Sequence, residues 1–225
     1  MNLSRLESLI GESSVEKIRK LNILIIGLGG VGGYTVESLI RSGVSRITLV
    51  DGDTIKPSNI NRQIIVTSKN MNKYKTREWK KRIKLINKDA VVNIINTMIT
   101  PEKINTLFGE NYDYIIDACD TTTVKVKLIE ECNKRNIKLV SCMGTAKKID
   151  ATQLKITTLD KTDYDPLAKK IRREFSRNKD IMKNVIVVTS TEKSTESAEL
   201  GSTSYVPAIA GLLITNYIIN DIIKN

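Results

Sequence analysis

Gly27-Leu28-Gly29-Gly30-Val31-Gly32 stands directly after the apolar run Leu21-Asn22-Ile23-Leu24-Ile25-Ile26 and directly before the helix-like stretch Gly33 to Gly43. No other junction in the chain limits the fold so strongly. A continuous apolar run is the pattern of a strand buried on both faces. Gly27, Gly29 and Gly32 satisfy G-x-G-x-x-G, whose glycines allow a tight turn and close approach of a phosphate to the backbone. The helix that follows offers its first N–H groups and positive dipole end. Asp51 ends the next strand-like run, Arg46 to Asp51, at a distance that suits a ribose hydroxyl. This order predicts a nucleotide-binding strand–helix–strand unit. The alternative is a glycine turn with a structural role only. The turn does not say whether the nucleotide is a redox cofactor or ATP.

The rest of the chain repeats the rhythm. Trp79, Ile83 and Ile86 lie at helical spacing among Lys and Arg. Strand-like runs follow at Val91–Thr97, Tyr112–Ala118 and Ile137–Cys142, with a helix predicted over Val124–Asn136 and another opening at Thr100-Pro101-Glu102. Beyond about residue 145 the pattern changes. Gln153–Leu159 and Asn184–Ser190 read as strands, Asp165-Pro166 starts a helix striped by Leu167, Ile171 and Phe175, and Thr191–Ser204 reads as a polar loop. These elements predict an α/β fold: a Rossmann-like, mostly parallel sheet with helices on both faces, completed by the C-terminal strands and helix. One domain is expected over 1–225, with a helical arm at 1–20, a nucleotide-binding part at 22–145 and a substrate-side and dimer-completing part at 146–225.

Composition narrows the chemistry. Aromatics are 4% of the 225 residues, so the core has to come from Ile, Val and Leu. There is no histidine, which removes the commonest general base and metal ligand. Cys119, Cys132 and Cys142 form no C-x-x-C, which argues against a zinc knuckle, and so sparse a count suits a reducing, cytoplasmic compartment. The N-terminus lacks a signal-peptide pattern, and the apolar stretch Val206–Ile223 carries Asn216, Asn220 and Asp221, so a buried helix is expected there and no membrane span. The net charge of +11 favours anionic partners.

Asn59, Arg62 and Gln63 follow soon after Asp51, and Lys75 lies twelve residues further on. A dinucleotide has its pyrophosphate held by the glycine turn and gains little from two more cations, whereas a triphosphate needs them. Asp117 and Asp120 come at the end of a strand-like run, where a carboxylate can hold Mg²⁺ beside phosphates. Arg62 as a solvated ion pair and Asp120 as a helix cap are the competing assignments.

Together these residues resemble the adenylating domain shared by ubiquitin-activating enzymes and the HesA/MoeB/ThiF group, over nearly the whole chain. The resemblance implies that the glycine turn (Gly27, Gly29, Gly30, Gly32), Asp51 and Asp53 hold ATP. It implies that Asn59, Arg62 and Lys75 contact its phosphates, that Gln63 belongs to the same signature, and that Asp120 serves Mg²⁺. Arg62, Lys75 and Asp120 would be the catalytic set; Lys125 is a weaker candidate for phosphate contact. It also implies a homodimer in which Arg5 reaches the partner's ATP site. Such enzymes activate a carboxylate by attack on the α-phosphate, which needs positioning and charge neutralisation but no side-chain base.

Two branches compete for the substrate. Members that adenylate the C-terminus of a ubiquitin-like sulfur carrier usually carry a C-x-x-C pair, which is absent here. The segments Ser141–Gln153 and Lys161–Glu174, the opening Ser4–Ile18 and the late Val187–Glu192 and Gly201–Ile214 resemble the bacterial tRNA threonylcarbamoyladenosine dehydratase branch, although the loop between Glu192 and Gly201 is short for it. That branch implies tRNA as partner, with a sulfur-transfer protein as a further one. Basic residues are localised accordingly: nine Lys/Arg against one acid in 69–88, and seven against two in 167–183. Lys169, Lys170, Arg172, Arg173 and Arg177 are the candidate tRNA contacts. The remaining readings are an NAD-dependent oxidoreductase, which leaves Asn59, Arg62, Gln63 and Lys75 unexplained, and an RNA-binding scaffold without activity.

Overall fold

The computed structural model describes residues 1–196, 199 and 201–224. Part of the short loop noted between Glu192 and Gly201 therefore lies outside the described residues. Seven strands form one sheet in the order β3-β2-β1-β4-β5-β7-β6. β1 (Asn22–Ile26) is central, flanked by β2 (Arg46–Val50) and β4 (Tyr114–Asp117), and both pairs are parallel. β3 (Val91–Ile95) and β5 (Lys138–Cys142) extend the two sides, again in parallel. β7 (Ile186–Ser190) joins β5 in parallel, and β6 (Leu154–Thr158) closes that edge as the antiparallel strand.

The apolar runs explain this arrangement, because alternate side chains serve opposite faces. Ile23 and Ile25 of β1 join one core and Leu24 and Ile26 the other. Tyr114 and Ile116 against Ile115 in β4, and Val188 against Val187 in β7, divide in the same way. The first core is covered by α2 (Glu12–Lys20), α3 (Gly30–Arg41), α4 (Lys75–Ile86) and α8 (Val206–Lys224). The second lies under α5 (Thr122–Arg135), α6 (Pro166–Glu174) and α7 (Lys179–Asn184). α1 (Ser4–Ile10) precedes α2 across Gly11, whose φ is +83°.

α8 is long and apolar enough, by length and composition, to cross a bilayer. It packs most extensively on α3. Gly211 permits the close approach, since a Cβ there would lie 2.4 Å from the carbonyl oxygen of Val31. The Thr35 hydroxyl donates to that glycine's carbonyl at 3.1 Å. Two expectations change. Pro101–Leu107 forms a 3-10 helix and no α-helix. α6 stops at Glu174, so Arg177 sits in the turn beyond it and does not continue the face of Lys169 and Arg173.

Candidate active site

In a parallel sheet, loops leave the strands at their carboxyl ends, and a crevice opens where neighbouring connections run to opposite faces. Here that point lies between β1 and β4. A cleft of about 410 Å³ sits there. Its wall takes Gly27, Gly29 and Gly30 after β1, Asp51 and Asp53 after β2, and Thr97, Met98 and Ile99 after β3. Cys119 and Asp120 after β4 and Thr145 and Ala146 after β5 complete it. Asn59, Arg62, Gln63 and Lys75 converge on the same cleft from the segment between β2 and α4.

The glycine turn is built by contacts that a side chain would destroy. Gly27 has φ +88°, and its Cβ would lie 2.7 Å from the carbonyl oxygen of Ala118. At Gly32 a Cβ would lie 1.8 Å from the carbonyl oxygen of Gly27. Gly32 is absent from the cleft wall, and the close contact it permits is that of α3 against the turn. No side chain caps α3 at Gly29, which leaves its first turn, part of the cleft wall, without a side-chain cap.

Asp51 has two structural duties. Its Oδ2 accepts the N–H of Leu28 at 2.8 Å and its Oδ1 that of Asp53 at 2.7 Å, fixing the turn to the end of β2. Lys75 opens α4 and is 4% exposed. Its ammonium pairs with Asp53 at 2.8 Å and lies 3.7 Å from Asp51. Arg62 donates to the Ser58 carbonyl and to Asn61 Oδ1, both at 2.8 Å. Asn59 Oδ1 accepts the N–H of Lys56 at 3.0 Å. Gln63 is 6% exposed, and its Oε1 is buried without a partner beside the cleft. An orphaned acceptor there, and a Gly29 whose Cβ position meets only Gln63 at 3.8 Å, describe a cradle shaped for a polar ligand.

Lys125 is placed elsewhere than expected. It is fully buried and absent from the cleft wall, and its Nζ donates to Asp117 Oδ2 at 2.9 Å, Ser141 Oγ at 3.2 Å and the Cys142 carbonyl at 2.7 Å. Burial works against its ammonium, yet the adjacent Asp117 carboxylate outweighs this and holds its pKa above the usual lysine value. The other Asp117 oxygen accepts from Cys119 N–H at 3.2 Å and from its thiol at 3.0 Å. The pair therefore supports, from beneath, the loop that carries Asp120. Burial, with the Asp117 carboxylate adding to it, pushes the Cys119 thiol far above its ordinary range. Burial also pushes Cys132 and Cys142 up to about 12. None of the three is a ready thiolate.

Asp120 is exposed at the cleft, and its neighbour Thr121 donates to it at 3.4 Å. Arg5 is exposed on α1, away from the cleft wall of this chain. Lys169, Lys170, Arg173 and Arg177 are exposed, whereas Arg172 folds back to donate to the carbonyl and hydroxyl of Thr162. Sequence reasoning passed over Thr97–Ile99 and Thr145–Ala146. The signal for them was position alone, immediately past the ends of β3 and β5.

An uncapped helix start after a glycine turn, two lysine-bound carboxylates and a cationic wall at a sheet's carboxyl edge define a nucleotide-binding α/β protein. The model of the ThiF family matches residues 3–224, and the chain belongs to the ThiF family. It is similar to the tRNA threonylcarbamoyladenosine dehydratase of Bacillus subtilis, with 35% identity over 241 residues covering 99% of this chain and 94% of that protein. Its similarity to the Haemophilus influenzae protein of the same name is 39% over 171 residues, covering 76% of this chain and 66% of the other. Among solved structures, E. coli tRNA N6-threonylcarbamoyladenosine dehydratase in complex with ATP matches with TM-score 0.93 and 31% identity, over 98% of this chain and 93% of that one.

Proposed function

We propose that the protein is an ATP-dependent tRNA threonylcarbamoyladenosine dehydratase, an adenylate-forming enzyme of the cyclising-ligase type. The observation that carries this reading is the convergence of Arg62, Lys75, Asn59 and Gln63 on the cleft that the glycine turn opens. A redox dinucleotide has no need of this cationic wall. In the proposed reaction the threonyl carboxylate attacks the α-phosphorus of ATP and pyrophosphate leaves. An internal nitrogen of the substrate then attacks the acyl carbon, losing its proton, and AMP leaves, so that water is lost overall.

The chain's own groups neutralise and position. Arg62 and Lys75 meet the developing negative charge, and the α3 N-terminus holds a phosphate. For Lys75 this means exchanging Asp53 for phosphate. Mg²⁺ keeps several waters and takes one or two carboxylates beside phosphates, and the exposed carboxylate of Asp120 fits that donor set. Among the described residues no cluster of three or more His, Cys, Asp or Glu is suited to a metal. Bound there, the ion would supply charge neutralisation at the phosphates. The exposed apolar residues Leu9, Ile209 and Leu212 favour a homodimer, in which Arg5 would reach the partner's cleft. The high thiol pKa values give no argument for a sulfur-transfer partner or for a thioester. A cytoplasmic location accords with free cysteines and a tRNA substrate.

ATP–pyrophosphate exchange with and without threonylcarbamoyladenosine-bearing tRNA tests the reading. Exchange that requires only the modified tRNA is expected. Exchange that requires a small ubiquitin-like carrier would overturn it in favour of sulfur-carrier activation.

A further inference from the structure

Tyr164 is a surface feature that the adenylation chemistry does not use. Its side chain is 62% exposed, and its φ is +52°, a region that bulky residues rarely occupy. Such a backbone persists where its neighbours over-determine it. The next residue, Asp165, is 3% exposed. Its carboxylate accepts the N–H groups of Leu167 at 2.9 Å and Ala168 at 3.0 Å, capping α6, and that of Gly144 at 2.9 Å. Gly144 directly precedes Thr145 and Ala146 of the cleft wall. The tyrosine is thus held where the wall of the cleft meets the basic helix.

A second anchor meets it there. Lys193 Nζ lies 5.6 Å from the centroid of the Tyr164 ring. The preceding residue, Glu192, accepts the N–H groups of Ile149 and Asp150 at 3.0–3.1 Å. Ring and cation are therefore both tied, through adjacent residues, to the segment that follows β5. Lys169, Lys170 and Arg173, exposed and engaged in no salt bridge among the described residues, begin five residues beyond Tyr164, on α6.

We propose that Tyr164 is a stacking platform for a nucleobase beside the modified adenosine. The proposal rests on the tRNA reading above. RNA loops are recognised by splaying bases onto aromatic rings while cations follow the phosphates, and stacking tolerates any base because each has a π-face. A ring so exposed has room for a base in addition to the lysine. Stacking at this point fixes the loop relative to Thr145 and Ala146, so that the threonyl carboxylate enters the cleft from the α6 side.

The test uses anticodon stem-loop RNA carrying threonylcarbamoyladenosine, with 2-aminopurine substituted on one side of it or the other. The RNA is titrated with the wild type, Tyr164→Phe and Tyr164→Asn across a salt series. The wild type is expected to quench the probe at one of the two positions, and Tyr164→Phe to retain both quenching and affinity. Asn tolerates the left-handed backbone, so Tyr164→Asn should fold with an unchanged or higher Tm. It should bind roughly 5- to 150-fold more weakly, as expected when one base stack is removed. Its slope of log affinity against log salt should be unchanged, because every phosphate keeps its cation. Equal binding by Tyr164→Asn and wild type, or an equal loss in Tyr164→Phe, overturns the stacking role and leaves the tRNA reading standing. Absence of RNA binding by the wild type overturns that reading itself, and this one with it.

Discussion

Lys75 and Lys125 are both buried lysines paired with aspartate, yet the surroundings of their amino groups give them different work. Lys75 Nζ reaches the cleft wall between Asp53 and Asp51 and can exchange a carboxylate for a phosphate. Lys125 Nζ is enclosed by Asp117, Ser141 and Cys142 and can exchange nothing. Lys75→Ala and Arg62→Ala should each lower adenylation by about 10²-fold or more, the usual effect of removing one charged group from the transition state. Pyrophosphate exchange checks this, and losses of tenfold or less in both would remove the ATP-site assignment. Lys125→Ala should instead act on folding. It strands a buried carboxylate, at about 3–5 kcal/mol, which for a domain of this size lowers Tm by roughly 10 °C; calorimetry or thermal melts report it. The cysteines separate the two substrate branches at the same scale. With all three thiols pushed up by burial, a triple Cys→Ala variant that folds should keep most of its activity in a turnover assay. A folded variant that makes acyl-adenylate but no product would show a thioester step and revive the sulfur-carrier reading.

Among the elements, α3 is held at two places: its N-terminus by the glycine turn and its C-terminal half by a charge clamp. Glu37 accepts from Arg82 of α4 at 2.7 and 3.0 Å and from Arg41 of its own helix at 2.8 Å. Burial alone would raise the Glu37 pKa, but the two guanidiniums prevail and hold it below the usual value. A carboxyl depressed in the folded state stabilises above its unfolded pKa, and that stability is lost as pH falls through the folded value. Glu37→Gln should therefore cost on the order of 1 kcal/mol at neutral pH, allowing for solvent screening of the partly exposed arginines. The deficit should begin to shrink as pH falls out of the ordinary glutamate range and vanish once pH is below the depressed folded value, measured by denaturant unfolding; a deficit independent of pH would mean that the charge is not what matters. The elements themselves were largely legible. Runs such as Asn22–Ile26 and Tyr114–Asp117 are apolar because both sheet faces are covered, and Gly27 can be nothing else at φ +88°. What was not legible needs three dimensions. The pattern of α5 does not reveal that Lys125 points inward to Asp117, since a lysine usually faces water. The spacing of Lys169, Arg173 and Arg177 promised one face, but the helix ends where Phe175 turns into the core, and Ser176 and Asn178 favour the turn that follows. The loops after β3 and β5 carry no motif; only the direction of the strands brings Met98 and Thr145 to the cleft.

At the scale of the whole molecule the charge surplus has to be sorted by what its side chains already touch. In the basic segment around α4, Lys81 pairs with Glu78, Arg82 with Glu37, Lys84 donates to the Lys88 and Ala90 carbonyls, and Lys75 serves the cleft. α6 and the turn after it are different: among the described residues Lys169, Lys170, Arg173 and Arg177 are exposed and engaged in no salt bridge, with Arg172 folded back on Thr162. The α6 N-terminus is joined to the cleft wall through Asp165 and Gly144. An extended polyanion that delivers one group to the cleft therefore meets exposed cations along α6, whereas on α4 Lys75, Lys81, Arg82 and Lys84 are already engaged and only Arg77 and Lys80 are left exposed. Replacing Lys169, Arg173 and Arg177 together with Ala should weaken binding of anticodon stem-loop RNA by on the order of 10²-fold at moderate salt. Each phosphate deprived of its cation removes about one unit of slope, so the plot of log affinity against log salt should flatten by about two to three units. The lower figure is expected if Arg177, displaced into the turn, no longer shares the phosphate track of the other two. ATP binding should be unchanged, because none of the three lines the cleft. Filter binding or anisotropy across a salt series makes the measurement, and a slope equal to that of the wild type would move the RNA to another face of the protein.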